Sequence, residues 1–283
     1  MAARAVQARP TRLRIAVPAD FDLARDACSY GYFLLEPYGW HPDSSSFSAT
    51  LALEDGSAHV VLRQSRVGMH LAGSCDRSLS RKEVSQARSM IARILRLDES
   101  ADDIAEFHAV DDRWRFSGRG RLMRSATLFE DIAKTVTSCN VQWPGTIDMN
   151  AALCARVGSQ SPSGQFAFPT PEQLARKKPS WLRSRCRVGY RDQRLVDLAK
   201  LFHKGEIDAT WLEDPATSDD EVRRFLLDLP GIGPYAAHNI MQLMGRYGFL
   251  PLDTESVRHG KQVLRFEGDR KSTRLNSSHR CIS

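Results

Sequence analysis

Residues 225–243, FLLDLPGIGPYAAHNIMQL, constrain the fold of this 283-residue chain more than any other segment. Apolar residues at helical spacing predict one helix on each side of a turn that contains Gly231 and Gly233. Glycine lets a backbone turn sharply and approach a partner closely. We expect the apolar Ile232 between the glycines to plug the turn into the core. The free N–H groups of the second helix would then point outward at the turn, and such a helix end binds phosphate.

Two helices joined by a glycine-containing hairpin resemble the helix-hairpin-helix DNA-binding motif. The resemblance implies that Gly231, Ile232 and Gly233 form a hairpin that contacts DNA. It also leaves room for a monovalent cation at the hairpin. An ordinary helical turn with two glycines is the alternative interpretation.

The sequence Pro251-Leu252-Asp253 ends twenty residues after Gly233. An aspartate that follows the hairpin after a loop with glycine and proline makes the chain similar to the helix-hairpin-helix superfamily of DNA glycosylases. Its layout resembles the 8-oxoguanine DNA glycosylase branch. The resemblance implies that Asp253 is the catalytic carboxylate. From the residues alone, Asp253 is also a good helix N-cap, and the two roles are compatible.

Two further segments look like DNA-wedge segments of the same superfamily. Residues 137–140, TSCN, resemble the segment whose polar side chain fills the gap left by a flipped base, and Asn140 is the matching position. Residues 189–191, GYR, resemble the segment that presents an aromatic wedge, Tyr190, and an arginine, Arg191, to the orphaned base. A packed ring at Tyr190 and a helix C-cap at Asn140 are the alternatives.

The chain departs from the superfamily pattern at two places. Bifunctional members carry a lysine nucleophile two residues after the last hairpin glycine, where this chain has Tyr235, and no lysine occurs between Lys204 and Lys261. An aromatic residue there resembles the monofunctional 3-methyladenine DNA glycosylase II branch, in which it lines the base pocket. Recognisable sequence ends near Phe266, so we expect a truncated C-terminus without the helices that hold an iron–sulfur cluster in one branch.

The remaining pattern predicts a mainly α fold with an N-terminal α+β lobe that contains a small antiparallel sheet. Short apolar runs separated by turn signals favour strands over residues 12–75, and helical spacing begins near Ser80. We expect four parts: an N-terminal lobe over 1–112, a helical domain with the wedge segments over 113–217, the hairpin and catalytic aspartate over 218–269, and a disordered or artefactual tail over 270–283.

The positive charge of the chain is concentrated in one segment. The net charge is +6, and residues 176–194 hold eight Lys/Arg and a single acid, with Trp181 and Tyr190 between them. Basic residues interleaved with aromatic ones are typical of a phosphate-backbone contact, which we assign to Arg183 and Arg185. A solvated charged face is the alternative.

Cysteine usage and hydropathy exclude several protein classes. The six cysteines are scattered without a CxxC motif, so a disulfide framework, a zinc site and an iron–sulfur cluster are not expected. No stretch approaches the roughly 18 apolar residues of a membrane span, and no signal-peptide core is visible. We therefore expect a monomer in the cytoplasm, associated with the nucleoid if the protein is bacterial, with no metal site and no membrane contact.

The resemblance implies a monofunctional DNA glycosylase of base-excision repair, whose partner is double-stranded DNA with an alkylated or oxidised base. One alternative is a non-catalytic helix-hairpin-helix DNA-binding protein. Another is a bifunctional glycosylase/AP lyase that uses the α-amino group or Lys261. A metabolic enzyme is a third, although no nucleotide-binding glycine motif or Ser-His-Asp signature supports it. We expect His238, in the second hairpin helix, to be structural or near a phosphate.

Overall fold

The computed structural model describes residues 10–110 and 117–263. The expected domain boundary at 112, the end of recognisable sequence near Phe266 and the expected tail over 270–283 lie outside these ranges. Within them, no helix is both long enough and apolar enough to cross a membrane.

The N-terminal lobe is built on a five-stranded antiparallel sheet in the order β1-β5-β4-β3-β2. Strand β3 is buried along almost its whole length, and the apolar Phe47 and Leu51 on β3 and Val60 and Leu62 on β4 contribute to one core. The strand bounds are β1 Arg12–Ile15, β2 Tyr38–His41, β3 Ser46–Leu53, β4 Gly56–Gln64 and β5 Leu71–Cys75.

Three α-helices complete this lobe: α1 Leu23–Ala27, α2 Arg81–Ile94 and α3 Ala101–Val110. Short 3₁₀ helices cover Gly31–Leu34 and Pro42–Ser44. Helix α2 begins at a capping box formed by Ser80 and Glu83. Its buried face carries Ala87, Ile91 and Ile94 into the core of the sheet.

The rest of the described chain is helical apart from loops and one isolated bridge. The predicted capping box of Ser218 and Glu221 is present at the start of α10. The bounds are α4 Leu128–Ser138, α5 Trp143–Val157, α6 Pro171–Ala175, α7 Pro179–Cys186, a 3₁₀ helix Gly189–Arg191, α8 Asp192–His203, α9 Ala209–Glu213, α10 Asp219–Asp228, α11 Pro234–Leu243 and α12 Thr254–Val263.

Two main apolar cores organise these elements. One joins the sheet to α2, and the other joins α4 to α8 with the hairpin helices α10 and α11. The hairpin therefore packs on the same core as the helices that carry the wedge segments. The prediction of a mainly α fold with an N-terminal antiparallel sheet is confirmed.

Buried arginines at the end of α2 join the two cores. The Arg93 guanidinium lies 2.7 Å from the Asp131 carboxylate on α4. Arg96 donates to the carbonyl oxygens of Gln242 (3.1 Å) and Leu243 (2.9 Å), at the C-terminal end of α11. These contacts fix the hairpin helix against the N-terminal lobe.

Candidate active site

The hairpin has the conformation that its sequence predicts. Gly231 takes a left-handed φ of +77°, and the N–H of Ile232 donates to the carbonyl of Leu229 (3.2 Å) to close the turn. The Ile232 side chain is only 5% exposed, which agrees with the expected plug into the core between the helices. Gly233 is the N-cap of α11 and carries no side chain to cap it. The first-turn N–H groups of α11 are therefore available to a ligand.

The two hairpin glycines differ in what they require. A Cβ at Gly231 would overlap the Arg194 side chain, and the backbone there is strained for any other residue. Gly233 has an extended backbone, with φ −97° and ψ −179°, and a Cβ there would meet nothing within 4 Å. The fold therefore needs glycine at position 231 but not at 233. A requirement for Gly233 would have to come from a partner.

Asp253 lies immediately before α12 and accepts hydrogen bonds from Ser256. The Ser256 N–H and hydroxyl donate to Asp253 Oδ1 at 2.7 and 2.6 Å. The Ser256 hydroxyl also lies 3.1 Å from the Pro251 carbonyl. The N-cap interpretation of Asp253 thus describes its geometry, and the catalytic role stays a prediction.

Tyr235, in the first turn of α11, lies close to Asp253. Burial, the neighbouring Asp253 charge and Cys139 together raise the pKa of the Tyr235 hydroxyl to about 12, with burial as the largest cause. Tyr235 therefore stays neutral at physiological pH. The structure thus brings together Tyr235 and Asp253, which the sequence had marked separately.

Side chains from α4, α11 and the N-terminal lobe extend this pair into a larger group. The Tyr30 hydroxyl donates to Asn239 Oδ1 (2.8 Å), and Asn239 Nδ2 donates to Thr135 Oγ1 (3.1 Å). Enclosure of its hydroxyl raises the pKa of Tyr30, although its ring stays partly exposed. We call the following residues the pocket cluster: Tyr30, Thr135, Cys139, Tyr235, Asn239 and Asp253.

The sequence interpretation singled out two of these six residues, Tyr235 and Asp253, and missed the other four. One signal was available, because Tyr235 and Asn239 are four residues apart, as are Thr135 and Cys139, and this spacing puts each pair on one helix face. Tyr30 had no such signal, since only the packing of the N-terminal lobe brings it 2.8 Å from Asn239.

The exposed Trp143 extends the aromatic surface beyond the pocket cluster. A Cβ on Gly31 would lie 2.9 Å from its ring, so the indole packs against the backbone next to Tyr30. Trp143 is also a residue that the sequence interpretation missed. It lies three residues after Asn140 in the sequence, at the start of α5.

The predicted wedge residues lie near one another. Asn140 is exposed and takes a left-handed φ of +51° just after α4, as in a glycine-like helix end. Tyr190 is 48% exposed, so its ring is not packed in the core. The guanidiniums of Arg191 and Arg194 lie over this ring, 4.5 and 5.0 Å from its centroid.

Arg191 is engaged with the protein itself. It is 6% exposed and donates to the carbonyls of Val136 (3.1 Å), Cys139 and Asn140 (3.4 Å). Its guanidinium therefore holds the end of α4 from which Asn140 projects. The expected contact between Arg191 and the orphaned base stays a prediction.

The predicted basic segment, residues 176–194, includes α7 and the turn after it. Arg183 and Arg185 are both exposed, but Arg183 makes an ion pair with Asp192 (3.0 Å). Arg194, which was not singled out from the sequence, packs against Gly231 and over Tyr190. It therefore connects the hairpin to the aromatic wedge.

Comparisons with known proteins place this arrangement on a known fold. No family model matches the sequence, and no curated protein matches it. The solved structure of MBOgg1 in complex with a low-affinity DNA ligand superposes with a TM-score of 0.70 at 20% identity, over 92% of this chain and 86% of that chain.

Two further solved structures show the same likeness. The 3-methyladenine DNA glycosylase from Archaeoglobus fulgidus has a TM-score of 0.68 at 18% identity, over 89% of this chain and 92% of its own. The apo 8-oxoguanine glycosylase/lyase from Clostridium acetobutylicum has a TM-score of 0.67 at 16% identity, over 92% and 88%. The chain therefore has the fold of the helix-hairpin-helix DNA glycosylases.

Proposed function

We propose that this protein is a DNA glycosylase of base-excision repair that removes a damaged base and leaves the DNA strand intact. The observation that carries the proposal is the pairing of Tyr235 with Asp253 on this fold. Tyr235 stands where the resemblance places a lysine nucleophile in bifunctional enzymes. A phenol cannot form an imine, whereas the aspartate chemistry of base hydrolysis is kept.

DNA binding in this proposal uses the hairpin and the wedge. A duplex phosphate binds the open N-terminal end of α11 beside Gly233. The enzyme must then flip the damaged base out of the stack, which costs a few kcal/mol. Asn140 and Tyr190 fill the vacancy, and Arg183 and Arg185 add phosphate contacts, which together offset that cost.

Hydrolysis in this proposal depends on the Asp253 carboxylate. As the N-glycosidic bond lengthens, positive charge develops on the sugar, and a fixed carboxylate stabilises it. Both hydrogen bonds from Ser256 go to Oδ1, so we assign Oδ2 to the sugar or to the attacking water. The water adds to C1′ while the bond to the base breaks, and the products are free base and an abasic site.

Within the broader class of damaged bases, the pocket cluster favours an alkylated base. It contains the electron-rich rings of Tyr30 and Tyr235, and the Asp253 charge acts on Tyr235. A base that is positively charged by alkylation gains about 1–2 kcal/mol from such rings, which a neutral oxidised base does not.

Other ligands enter the proposal only at the hairpin. Its backbone carbonyls offer the hard oxygen ligands that suit a monovalent cation, although the Leu229 carbonyl already accepts from Ile232. Among the described residues, no group of three or more His, Cys, Asp or Glu side chains is arranged to hold a metal ion.

We propose that the protein acts as a monomer on DNA in the cytoplasm.

The lyase alternative requires an amine near C1′. Lys261 lies eight residues beyond Asp253 along α12, which is about 12 Å at 1.5 Å per residue. That separation favours the monofunctional reaction. The trapping experiment that follows distinguishes a lyase that uses the α-amino group from the monofunctional reaction.

The test is excision from duplexes that carry alkylated, oxidised or deaminated bases. We expect release of an alkylated base, abasic sites that break only after alkali, and no covalent adduct on borohydride treatment. An adduct with the unmodified protein would overturn the monofunctional mechanism. Failure to excise any base would favour the non-catalytic DNA-binding alternative.

Tyr235→Lys sharpens this test. The variant puts an amine beside Asp253, and burial would lower its pKa, as an amine nucleophile needs. We expect weak but detectable borohydride trapping and reduced affinity for the base. Tyr235→Phe, which keeps the ring without the amine, is the matched control and should trap nothing.

A further inference from the structure

His238 on α11 makes two polar contacts that fix its protonation. Its Nδ1 lies 3.1 Å from the Leu250 carbonyl, and Nε2 lies 3.1 Å from Arg223 Nε. A carbonyl can only accept a hydrogen bond and a guanidinium can only donate one. The ring that satisfies both is neutral, with its proton on Nδ1.

The His238 side chain also packs against the loop that leads to Asp253. The imidazole stacks on Phe249 with ring centroids 5.1 Å apart and an interplanar angle of 21°. The Arg223 guanidinium lies 5.2 Å from the centroid of the same Phe249 ring. His238 and Arg223 thus hold residues 249 and 250 by stacking and by a hydrogen bond.

The next residues carry this restraint to the carboxylate. Pro251 has a fixed φ, and a residue before proline is also restricted, so a fixed Leu250 carbonyl limits the path of the following backbone. From the other side, the Ser256 N–H donates to Asp253 Oδ1, and the Ser256 hydroxyl lies within hydrogen-bond distance of both Oδ1 and the Pro251 carbonyl. The loop is therefore held by α11 before the carboxylate and by α12 after it.

We propose that His238 is a positioning residue for Asp253: as the Nδ1–H tautomer selected by Arg223, it anchors the Leu250 carbonyl and so aims the carboxylate beside Tyr235. This inference rests on the proposed glycosylase function, since it gives Asp253 a reaction to serve. His238 itself touches neither DNA nor the base. Its effect is on the rate of excision rather than on duplex binding.

Protonation should remove the Arg223 half of this arrangement, because the imidazolium still donates from Nδ1 to the Leu250 carbonyl but Nε2 becomes a donor that can no longer accept from Arg223. Burial lowers the pKa of His238, the Leu250 carbonyl opposes that shift, and the Arg223 charge adds to it. The charged group that faces the ring from α10 is Arg223, and the loop contributes the Phe249 ring and the Leu250 carbonyl. A lowered pKa means that the neutral form is favoured by folding. Both polar contacts of the ring are therefore complete above the ordinary histidine pKa of about 6.5, and the Arg223 contact that holds the ring in place is lost as pH falls through the lower folded value.

The test compares single-turnover excision by the wild type, His238→Leu and His238→Asn between pH 5 and 8. Leucine keeps bulk but removes the donor, so we expect a tenfold or greater loss of rate at pH 7.5, with duplex Kd unchanged within threefold. Asparagine can place an N–H near the Nδ1 position and should recover at least a third of the lost rate. Both variants should lose the acid limb that His238 gives the wild-type profile. His59→Asn is the matched control, because His59 is also half-buried with a pKa lowered mainly by burial, but lies in the sheet.

Several outcomes would overturn the inference. One is a wild-type rate in His238→Leu; another is equal loss in both variants with the acid limb intact. Nitrogen-15 spectra of the wild-type imidazole provide a measurement that does not depend on variant folding, and an Nε2–H tautomer would also overturn it. If the wild type excises no base at all, the proposed function fails instead. The two failures are therefore distinguishable.

Discussion

The two ends of α11 differ in whether the rest of the protein provides partners for their backbone groups. At the N-terminal end, Gly233 leaves the first-turn N–H groups without a side-chain cap and faces open space. At the C-terminal end, the Leu243 carbonyl accepts hydrogen bonds from two buried arginines, Arg96 (2.9 Å) and Arg124 (3.4 Å). Both ends carry unpaired backbone groups in an isolated helix, but only one end is satisfied by the protein.

This difference supports the proposal that DNA binds at the N-terminal end of α11. The C-terminal end of a helix is partially negative, and the fold neutralises it with its own cations. The N-terminal end is partially positive and stays accessible to an anion, such as a phosphate of the DNA backbone. The same open end carries Tyr235 next to Asp253. In the proposed function, α11 thus has a structural C-terminal end and a DNA-binding N-terminal end. The substitutions that follow should affect stability at the first and function at the second.

Asp253→Asn should have the largest effect on function. The asparagine keeps an oxygen that accepts from Ser256, so the cap at α12 is retained, but the negative charge that stabilises the developing sugar cation is lost. We expect excision to slow by at least about a hundredfold, a loss typical of removing a preorganised stabilising group. Duplex Kd should stay within a few fold. Single-turnover excision and duplex binding measure the two effects, and a near-normal rate would remove Asp253 from the chemistry.

Arg96→Ala should have the largest effect on stability. Arg96 is 2% exposed and donates to the Leu122, Gln242 and Leu243 carbonyls. Its loss removes three hydrogen bonds from a buried cation, although the Leu243 carbonyl keeps Arg124 and the Gln242 carbonyl keeps the Gly245 N–H, so we expect the free energy of unfolding to fall by about 3 kcal/mol. Denaturant unfolding measures this effect. Arg88→Ala, at an exposed position on the preceding helix α2, is the control and should change stability by less than about 0.5 kcal/mol. Equal stability of the two variants would show that the C-terminal end needs no such partner.

The fold and the functional end could be predicted because their signals are local. Gly231, Ile232 and Gly233 determine a turn through the backbone freedom of glycine and one apolar plug, and both properties can be seen in the sequence. The capping box of Ser218 and Glu221 is equally local, and it is present as predicted.

The rest of the candidate site could not be predicted because its contacts join distant parts of the chain. Tyr30 meets Asn239 across 209 residues, and Arg96 meets Leu243 across 147. Neither pair has a sequence spacing that indicates contact. Arg191 illustrates a different limit, since the resemblance implies a contact with the orphaned base, and nothing in the sequence indicates that its guanidinium also binds the carbonyls at the end of α4. A charge pattern does not show which arginines the protein itself uses.

The hairpin glycines offer a matched pair of substitutions with opposite outcomes. Gly233→Val should leave thermal unfolding within about 1 kcal/mol of wild type, since its backbone is extended and its surroundings are open. Duplex affinity should fall about tenfold on damaged and undamaged DNA alike, because the side chain keeps phosphate from the helix end. Gly231→Ala should instead lower stability by about 1–2 kcal/mol, because of its left-handed backbone and the Arg194 contact. Normal duplex binding by Gly233→Val would show that this end of α11 is not the DNA contact.

The smallest expected effects concern the basic segment beside the hairpin. Arg185 is exposed on α7, and each phosphate contact that is lost should reduce the salt slope of duplex binding by about 1. Arg183 is also exposed, but its ion pair with Asp192 already engages its guanidinium, so Arg183→Ala should change the slope less than Arg185→Ala does. Arg14→Ala, an exposed arginine on the edge strand of the N-terminal sheet, is the control and should leave the slope unchanged.

The measurement is duplex Kd between 50 and 200 mM salt, a range over which phosphate contacts dominate affinity. If Arg185→Ala and Arg14→Ala gave the same slope as the wild type, α7 would be a solvated face. The open end of α11 would then bind DNA without help from the neighbouring charges.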